Sequence, residues 1–476
     1  MSAHSRWTAL GVLLIAVFIG LTDATIANIT LSAIETGLGA SDATLSWVVT
    51  GYALAYGLSL VPAGRLGDRY GHKPLFVLGM VGYVLTGVIA ATASSEGLLI
   101  AARVAHGIAG GVMVTPVFAY IQVLFTGAAR VRAFGLLTVV TGIATSIGPL
   151  IGGWIIDNTS DGLGWRLAFL ATVPVGLIGI VAATMVLPNT RSHKTSGFDV
   201  LGMAMLAVVI FGAMAPLIQT DGGSLPSWAP ESFGVAFAVA IAFVYWQRRR
   251  VNQNAEPLIP MTLFRYPSFS LGLIVAVLTF ASATTSIYIA LAVLWQSGRG
   301  ETALAAGLVT LPFSVGAILG AALSERVAVH LRRHAVTFAL ALLVGGYVAL
   351  YFLLLSEPYA HLLVLTLPIF VAGLGSGIFV APNVSSILSP VPPAIAGGAG
   401  GVVVTAQRIG AALGTALTVI VVSTNPGSGP FDEAATIVAS VRALLVIVLF
   451  AAAALVLNVI ANAVDKRSSP VESVQA

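Results

Sequence analysis

Runs of apolar residues, each about as long as one membrane crossing, alternate along the chain with short polar, Gly-rich or Pro-rich breaks. A helix needs roughly 20 apolar residues to span a hydrocarbon core. On that measure the pattern predicts spans at 7–29, 44–64, 74–94, 97–122, 133–156, 166–187, 199–219, 231–247, 267–296, 302–323, 335–355, 360–382, 397–423 and 436–462. The breaks fall at LPNTRSHKTSG, QTDGGSLPSWAPES and STNPGSGPFDE, among others, where Gly, Pro and polar residues end helices. The expected fold is an all-α membrane protein of fourteen transmembrane helices. The first run, Trp7 to Ile29, is too long for the apolar part of a signal peptide and holds Asp23 within it, so it is expected to remain as a helix.

Basic residues give these helices a direction. With a cytoplasmic N-terminus, seventeen of the 22 Lys and Arg residues fall in cytoplasmic loops and tails. Only Arg166, Arg299 and Arg442 fall on the opposite side, and Arg103 and Arg408 lie inside spans. That bias selects an arrangement with both termini inside. Composition agrees, because 58% of the chain is hydrophobic and 8% charged, where soluble domains carry about a quarter charged residues. The net charge of +4 belongs to loops at the membrane surface and calls for no nucleic-acid partner. The absence of cysteine excludes disulfides and thiolate metal sites. His330 and His334 have a metal-like spacing, but Arg332 and Arg333 flank them and make a solvated basic face the better reading. No metal or other cofactor is expected.

Against this scarcity of charge, Arg65, Asp68, Arg69 and Lys73 crowd into GRLGDRYGHKP at 64–74, between the second and third spans. Gly64, Gly67 and Gly71 are expected to permit a tight reversal there. The stretch resembles the signature loop of the major facilitator superfamily. LTDATIANITLSAIE in the first span, RVAHGIAGG at 103–111, GIATSIGPLIGGW at 142–154, GLVTLP at 307–312 and TAQRIGAALG at 405–414 resemble its fourteen-helix drug:proton antiporter branch. The resemblance implies two pseudo-symmetric six-helix bundles, 1–190 and 263–465, a linker at 191–262 carrying two additional helices, and a cytoplasmic tail at 466–476. LSERVAVHLRRH at 323–334 echoes the signature loop at the matching point of the second half, as an internal repeat would.

What the resemblance implies functionally is a proton-coupled secondary exporter of amphipathic or aromatic drugs or antibiotics. It would work by alternating access in the bacterial cell membrane, as a monomer, with protons, a small-molecule substrate and the lipid bilayer as its partners. Export of an endogenous metabolite, amino acid or lipid, and a non-transporting sensor of the same fold, stay open. An enzyme is not expected. No loop gathers a nucleophile, base or metal ligands, no P-loop is present, and GLGSG at 373–377 lies inside an apolar run, where glycines serve packing.

Ionisable residues inside membrane spans are functional candidates by default. Asp23 and Arg103 stand at comparable depths from the outer ends of the first and fourth spans, so both are assigned to proton coupling. Asp23 would take up and release the proton, and Arg103 would favour its ionised form when close. Tyr52, Tyr56, His106, Asn383, Gln407 and Arg408 are candidates for lining a substrate cavity, with core packing as the alternative. For Arg408, bonding to backbone carbonyls, Gln407 or Asn383 competes with facing the cavity. Gly64, Arg65, Gly67, Asp68, Arg69, Gly71 and Lys73 form the expected conformational latch, in which, by the resemblance, Asp68 meets a helix start in the other half near GGAGGVVV at 397–404. Gly142, Ser146, Pro149 and Gly153 share one helix face, and with Gly148 and Gly152 they form the motif that marks antiporters within the family.

Overall fold

The computed structural model describes residues 3–159, 162–189, 199–219, 225–253, 257–259, 261–283, 285–301, 303–392, 395–423 and 433–468. Among these, seventeen α-helices follow one another: α1 Ala3–Ile29, α2 Leu31–Leu38, α3 Asp42–Tyr70, α4 His72–Ala91, α5 Glu96–Leu124, α6 Gly127–Asp157, α7 Gly164–Leu170, α8 Val173–Val186, α9 Val200–Ile218, α10 Ala229–Asn252, α11 Pro267–Ala283, α12 Thr285–Val293, α13 Ala303–Leu331, α14 Ala335–Ser356, α15 Leu362–Leu388, α16 Ala396–Ser423 and α17 Glu433–Ser468. Among the described residues thirteen stretches are long and apolar enough to cross a membrane, and one of them, Ala305–Ser356, runs 52 residues and takes in nearly all of α13 and the whole of α14. Local chemistry sets several helix starts. Ser41 accepts from the Thr44 N–H, Ser95 from Leu98 and Asp199 from Gly202, each satisfying an amide that the first turn leaves unpaired.

The chain forms two compact units. The first comprises Met1–Gln219, Pro226–Met261 and Val391–Thr405, and the second Thr220–Leu225, Thr262–Pro390 and Ala406–Ala476. In the first, α5 packs on α3 and α4, α1 lies against α6 and α8, and α9 pairs with α10 and touches α3. In the second, α15 packs on α13 and α14, and α17 on α11 and α14. Bare backbone contact lets these helices meet. A Cβ on Gly373 would come within 2.1 Å of the Phe313 carbonyl and one on Gly377 within 2.0 Å of the Ala317 carbonyl, so these two glycines of GLGSG are where α15 touches α13, while one on Gly375 would meet the Ala339 carbonyl of α14 at 2.5 Å. Outward faces carry large apolar side chains, with Met185 80% and Leu363 75% exposed, as a surface bathed in lipid tails requires.

One expectation changes. Gly64 and Gly67 do not bend the signature loop, because α3 continues to Tyr70 and only Gly71, at φ 97°, makes the turn. Gly67 is needed for contact instead: a side chain there would meet the His72 ring at 2.5 Å. The span expected at 166–187 is one apolar stretch, Gly164–Val186, within which α7 gives way to α8 at 171–172, with Pro174 in the first turn of α8.

Candidate functional site

Asp23 and Arg103 meet in the buried interior of the first unit. Arg103 Nη1 donates to Asp23 Oδ2 at 2.8 Å, and both side chains are at most 2% exposed. Arg103 Nε donates to the Val48 carbonyl at 3.0 Å, and the guanidinium carbon lies 4.5 Å from the Tyr52 ring centroid and 5.2 Å from that of Phe169. A cation held between two aromatic faces and a carboxylate keeps partners after losing water. His106, one turn along α5, places Nε2 3.4 Å from the same Asp23 oxygen. Its ring lies against Tyr83, with centroids 3.7 Å apart, and its Nδ1 is 2.8 Å from Thr86 Oγ1.

Tyr52 and Tyr56, expected along a cavity, are both buried, with stacked rings at 6.1 Å. Tyr52 donates its hydroxyl to the Gly20 carbonyl, so its ring walls the ion pair away from water. His106 is likewise buried among aromatic rings. Asn383 is buried and donates to the Gly272 carbonyl at 3.5 Å, while Gln407 is half-buried and Arg408 is exposed on α16.

The signature-loop residues also find partners. Asp68 Oδ2 accepts from the Gly398 N–H at 3.0 Å, across 330 sequence positions, at the first turn of α16. An ionised carboxylate is favoured at that helix start by the unpaired amides and the positive dipole end. His72 Nε2 stands 3.5 Å from the other Asp68 oxygen. Arg65 donates to the carbonyls of Pro257 and Leu258, and Lys73 Nζ to the Thr184 carbonyl at 2.8 Å. Arg69 lies over the Tyr70 ring. Close packing against α16 depends on its glycines, because a Cβ on Gly401 would meet the Leu60 carbonyl at 2.7 Å and one on Gly400 would meet Phe118 at 2.6 Å.

On α6 the small-residue face that makes contact is shifted from the expected one. A Cβ on Gly148 would sit 1.9 Å from Thr25 Oγ1, one on Gly152 would touch Ile26 at 3.5 Å, and Thr22 donates to the Ala144 carbonyl. Ala144, Gly148 and Gly152 thus press on α1 beside Asp23, whereas Gly153 meets nothing within 4 Å and Gly142 is half-buried. The side chains of Ser146 and Pro149 lie outside the described residues. Small residues occupy both faces here, so their spacing alone could not fix the rotation of the helix.

Two groups of residues were not singled out by the sequence. Thr86 and Tyr83 on α4 complete the Asp23 pocket, and no motif signals them. Asp199 is 7% exposed and takes hydrogen bonds from Trp246 Nε1 at 2.8 Å, Gln247 Nε2 at 2.7 Å and the Gly202 N–H at 2.9 Å, with Arg250 Nε 3.8 Å away. Gln247 in turn accepts from the Ile259 N–H, which ties α9, α10 and the following linker together. Burial alone would raise the Asp199 pKa, but the Trp246, Gln247 and Gly202 donors and the Arg250 charge outweigh it and hold the carboxyl below its usual range. Its signal in the sequence is an N-cap acid immediately before an apolar run.

These features define a polytopic helical membrane protein with charges buried inside a helix bundle, the arrangement that carriers keep for ion and substrate pathways. The chain belongs to the major facilitator superfamily, whose model matches residues 13–415. It is 33% identical over 415 residues to a probable actinorhodin transporter of Streptomyces coelicolor, covering 87% of this chain and 72% of that protein. It is 29% identical over 425 residues to a tetracenomycin C resistance and export protein of Streptomyces glaucescens, covering 88% and 77%. The solved structure of the proton:xylose symporter XylE aligns with TM-score 0.66 over 96% of this chain and 95% of that one, at 13% identity, which attests a shared fold.

Proposed function

We propose that this chain is a proton-coupled exporter that moves amphipathic or aromatic drugs or antibiotics outward by alternating access, in exchange for protons. The observation that carries this reading is the buried Asp23–Arg103 pair, in a chain whose relatives include antibiotic transporters. Asp23 takes up a proton when Arg103 withdraws or substrate intervenes, and releases it when the 2.8 Å contact re-forms. The Asp68–Gly398 hydrogen bond acts as a latch that holds one conformational state, with Arg65 and Lys73 as its anchors. Arg408, exposed within an apolar span, belongs at a water-filled cavity, since a cation facing lipid would be costly. The proposed topology has fourteen crossings with both termini cytoplasmic, bundles at 1–190 and 263–465, and two inserted helices at 191–262. The chain works as a monomer.

Reconstitution into liposomes loaded with a pH-sensitive dye, followed by a panel of lipophilic cations, neutral aromatic compounds and antibiotics, tests the proposal. One compound class should drive proton movement that Asp23→Asn abolishes. Uphill transport surviving Asp23→Asn would refute the assigned proton carrier, and the absence of proton movement with every class would refute antiport.

A further inference from the structure

Thr86 fixes the state of His106. Its hydroxyl has one proton, and its oxygen lies 2.7 Å from the Gly82 carbonyl and 3.2 Å from that of Tyr83, both of which can only accept. With that proton committed to the helix backbone, Thr86 Oγ1 offers His106 Nδ1 a lone pair at 2.8 Å, so Nδ1 carries the hydrogen. Nε2, which has no hydrogen-bond partner, then stands 3.4 Å from Asp23 Oδ2, in a site where Asp23, Arg103 and His106 are each 1% exposed. A bare Nε2 lone pair facing an ionised carboxylate in this low-dielectric pocket is repulsive. The conflict disappears when one proton lies between the two atoms.

We propose that His106 shares the transported proton with Asp23, so that the loaded state is an imidazolium at Nε2 beside a carboxylate that stays ionised. This deepens the reading of Asp23 as proton carrier and rests on it. Asp23 takes a proton from hydronium, forming an O–H bond and leaving water. That O–H bond breaks as the proton passes to Nε2, where an N–H bond forms and the carboxylate is regenerated. Release reverses both transfers and returns the proton to water. In the loaded arrangement the His106 imidazolium supplies the counter-charge that Asp23 loses when Arg103 withdraws, and the return of Arg103 to the same carboxylate oxygen expels the proton. Among the described residues, the titratable groups facing His106 are Asp23 from α1, Tyr52 from α3, Tyr83 from α4 and Arg103 on its own helix. The tyrosines serve as its aromatic walls.

The test needs no substrate. Full-length protein carrying ¹⁵N-histidine is placed in liposomes and followed by solid-state NMR from pH 5 to 8, with the His106 signals identified by their loss in His106→Gln. Nδ1 should carry a proton throughout and Nε2 should gain one within this range. In Asp23→Asn the proton-bearing Nε2 fraction at a given pH should fall at least several-fold. Thr86→Val, which removes the Nδ1 acceptor, should shift neutral His106 toward the Nε2-protonated tautomer, and it serves as a second reporter should His106→Gln fail to fold. A His106 that stays neutral over the whole range, or that titrates identically in Asp23→Asn, would overturn the inference. Uphill transport surviving Asp23→Asn would instead defeat the proposed function, whatever the NMR result.

Discussion

Arg103 and Asp23 differ in one respect that a stability measurement can expose: a carboxyl can lose its charge by taking up a proton, whereas a guanidinium at this site cannot lose its own. The pair is 2.8 Å apart with both side chains at most 2% exposed, so removing one partner strands the other charge in the buried interior. Breaking such a buried pair costs about 3–5 kcal/mol, while replacing both members with apolar residues is often neutral. Asp23→Asn should therefore lose about 3–5 kcal/mol at every pH, because the Arg103 charge then meets only neutral groups, the Val48 carbonyl, the new amide and two aromatic faces. Arg103→Met should lose a similar amount near pH 8 but progressively less toward pH 5, as Asp23 neutralises. The double variant Asp23→Leu/Arg103→Met should lose less than either single variant. Reversible unfolding of the purified protein in detergent, monitored by circular dichroism from pH 5 to 8, reads all four proteins. Additive losses in the double variant, or a loss in Arg103→Met that does not change with pH, would refute the account of the pair as mutually compensating buried charges.

Asp68→Asn, which removes the charge facing the first turn of α16, should forfeit about 1–2 kcal/mol from the latched state and shift its population roughly 5- to 30-fold. Distance measurements between spin labels on α3 and α16 would register that shift, and unchanged distance distributions would rule out the latch. Asp199→Ala should loosen α9 against α10 by about 1–3 kcal/mol at neutral pH. Because the folded-state pKa of Asp199 is depressed, its stabilisation is present above the unfolded carboxylate value near about 4 and is lost as pH falls through the folded value. The melting-temperature gap between wild type and Asp199→Ala should accordingly hold steady from pH 7 to 5 and narrow below about pH 4; a gap that narrows already at pH 6 would show that the carboxyl is not held in its ionised form.

The hydrophobic pattern made the membrane helices legible, since length and apolarity are properties of a single stretch of chain. Asp23 and Arg103 were legible for a related reason, because in a span free of other charges each can be answered only by a partner inside the protein. The rotation of α6 was not legible: Gly142 and Gly153 lie on one face and Gly148 and Gly152 on another, and only contact with Thr25 and Ile26 decides between them. Nor was the signature-loop turn, because Gly64, Gly67 and Gly71 are equally suited to a reversal in sequence. Gly71 alone takes a positive φ, at 97°, while Gly67 is kept bare by the His72 ring. Thr86 escaped notice because a threonine in an apolar helix usually satisfies itself on its own backbone, as this one does, and its effect on His106 follows only from that satisfaction.

The buried carboxylates of Asp23, Asp68 and Asp199 differ in how many elements hold them, and that difference bears on which of them can take part in transport. Asp199 is gripped by donors from α9 and α10, a closely packed pair, so rearrangement elsewhere leaves its surroundings intact. Asp68 is held by His72 across the adjacent turn and by an amide 330 positions away, so its bond can be made or broken without unfolding a helix. Asp23 faces two residues of α5 from α1, and those two residues are themselves positioned by Val48 and Tyr52 on α3, Thr86 and Tyr83 on α4, and Phe169 on α7. A small displacement of α1 relative to α5 therefore changes the distance from Asp23 to a permanent cation and to a titratable ring together. Close contact with Gly148 would transmit such a displacement to α6 through the Thr22 and Thr25 backbone and hydroxyls. On that reasoning the small-residue face of α6 acts as the bearing surface on which the Asp23 site moves, and a bulkier residue at Gly148 would have to displace Thr25 before it could affect Asp23.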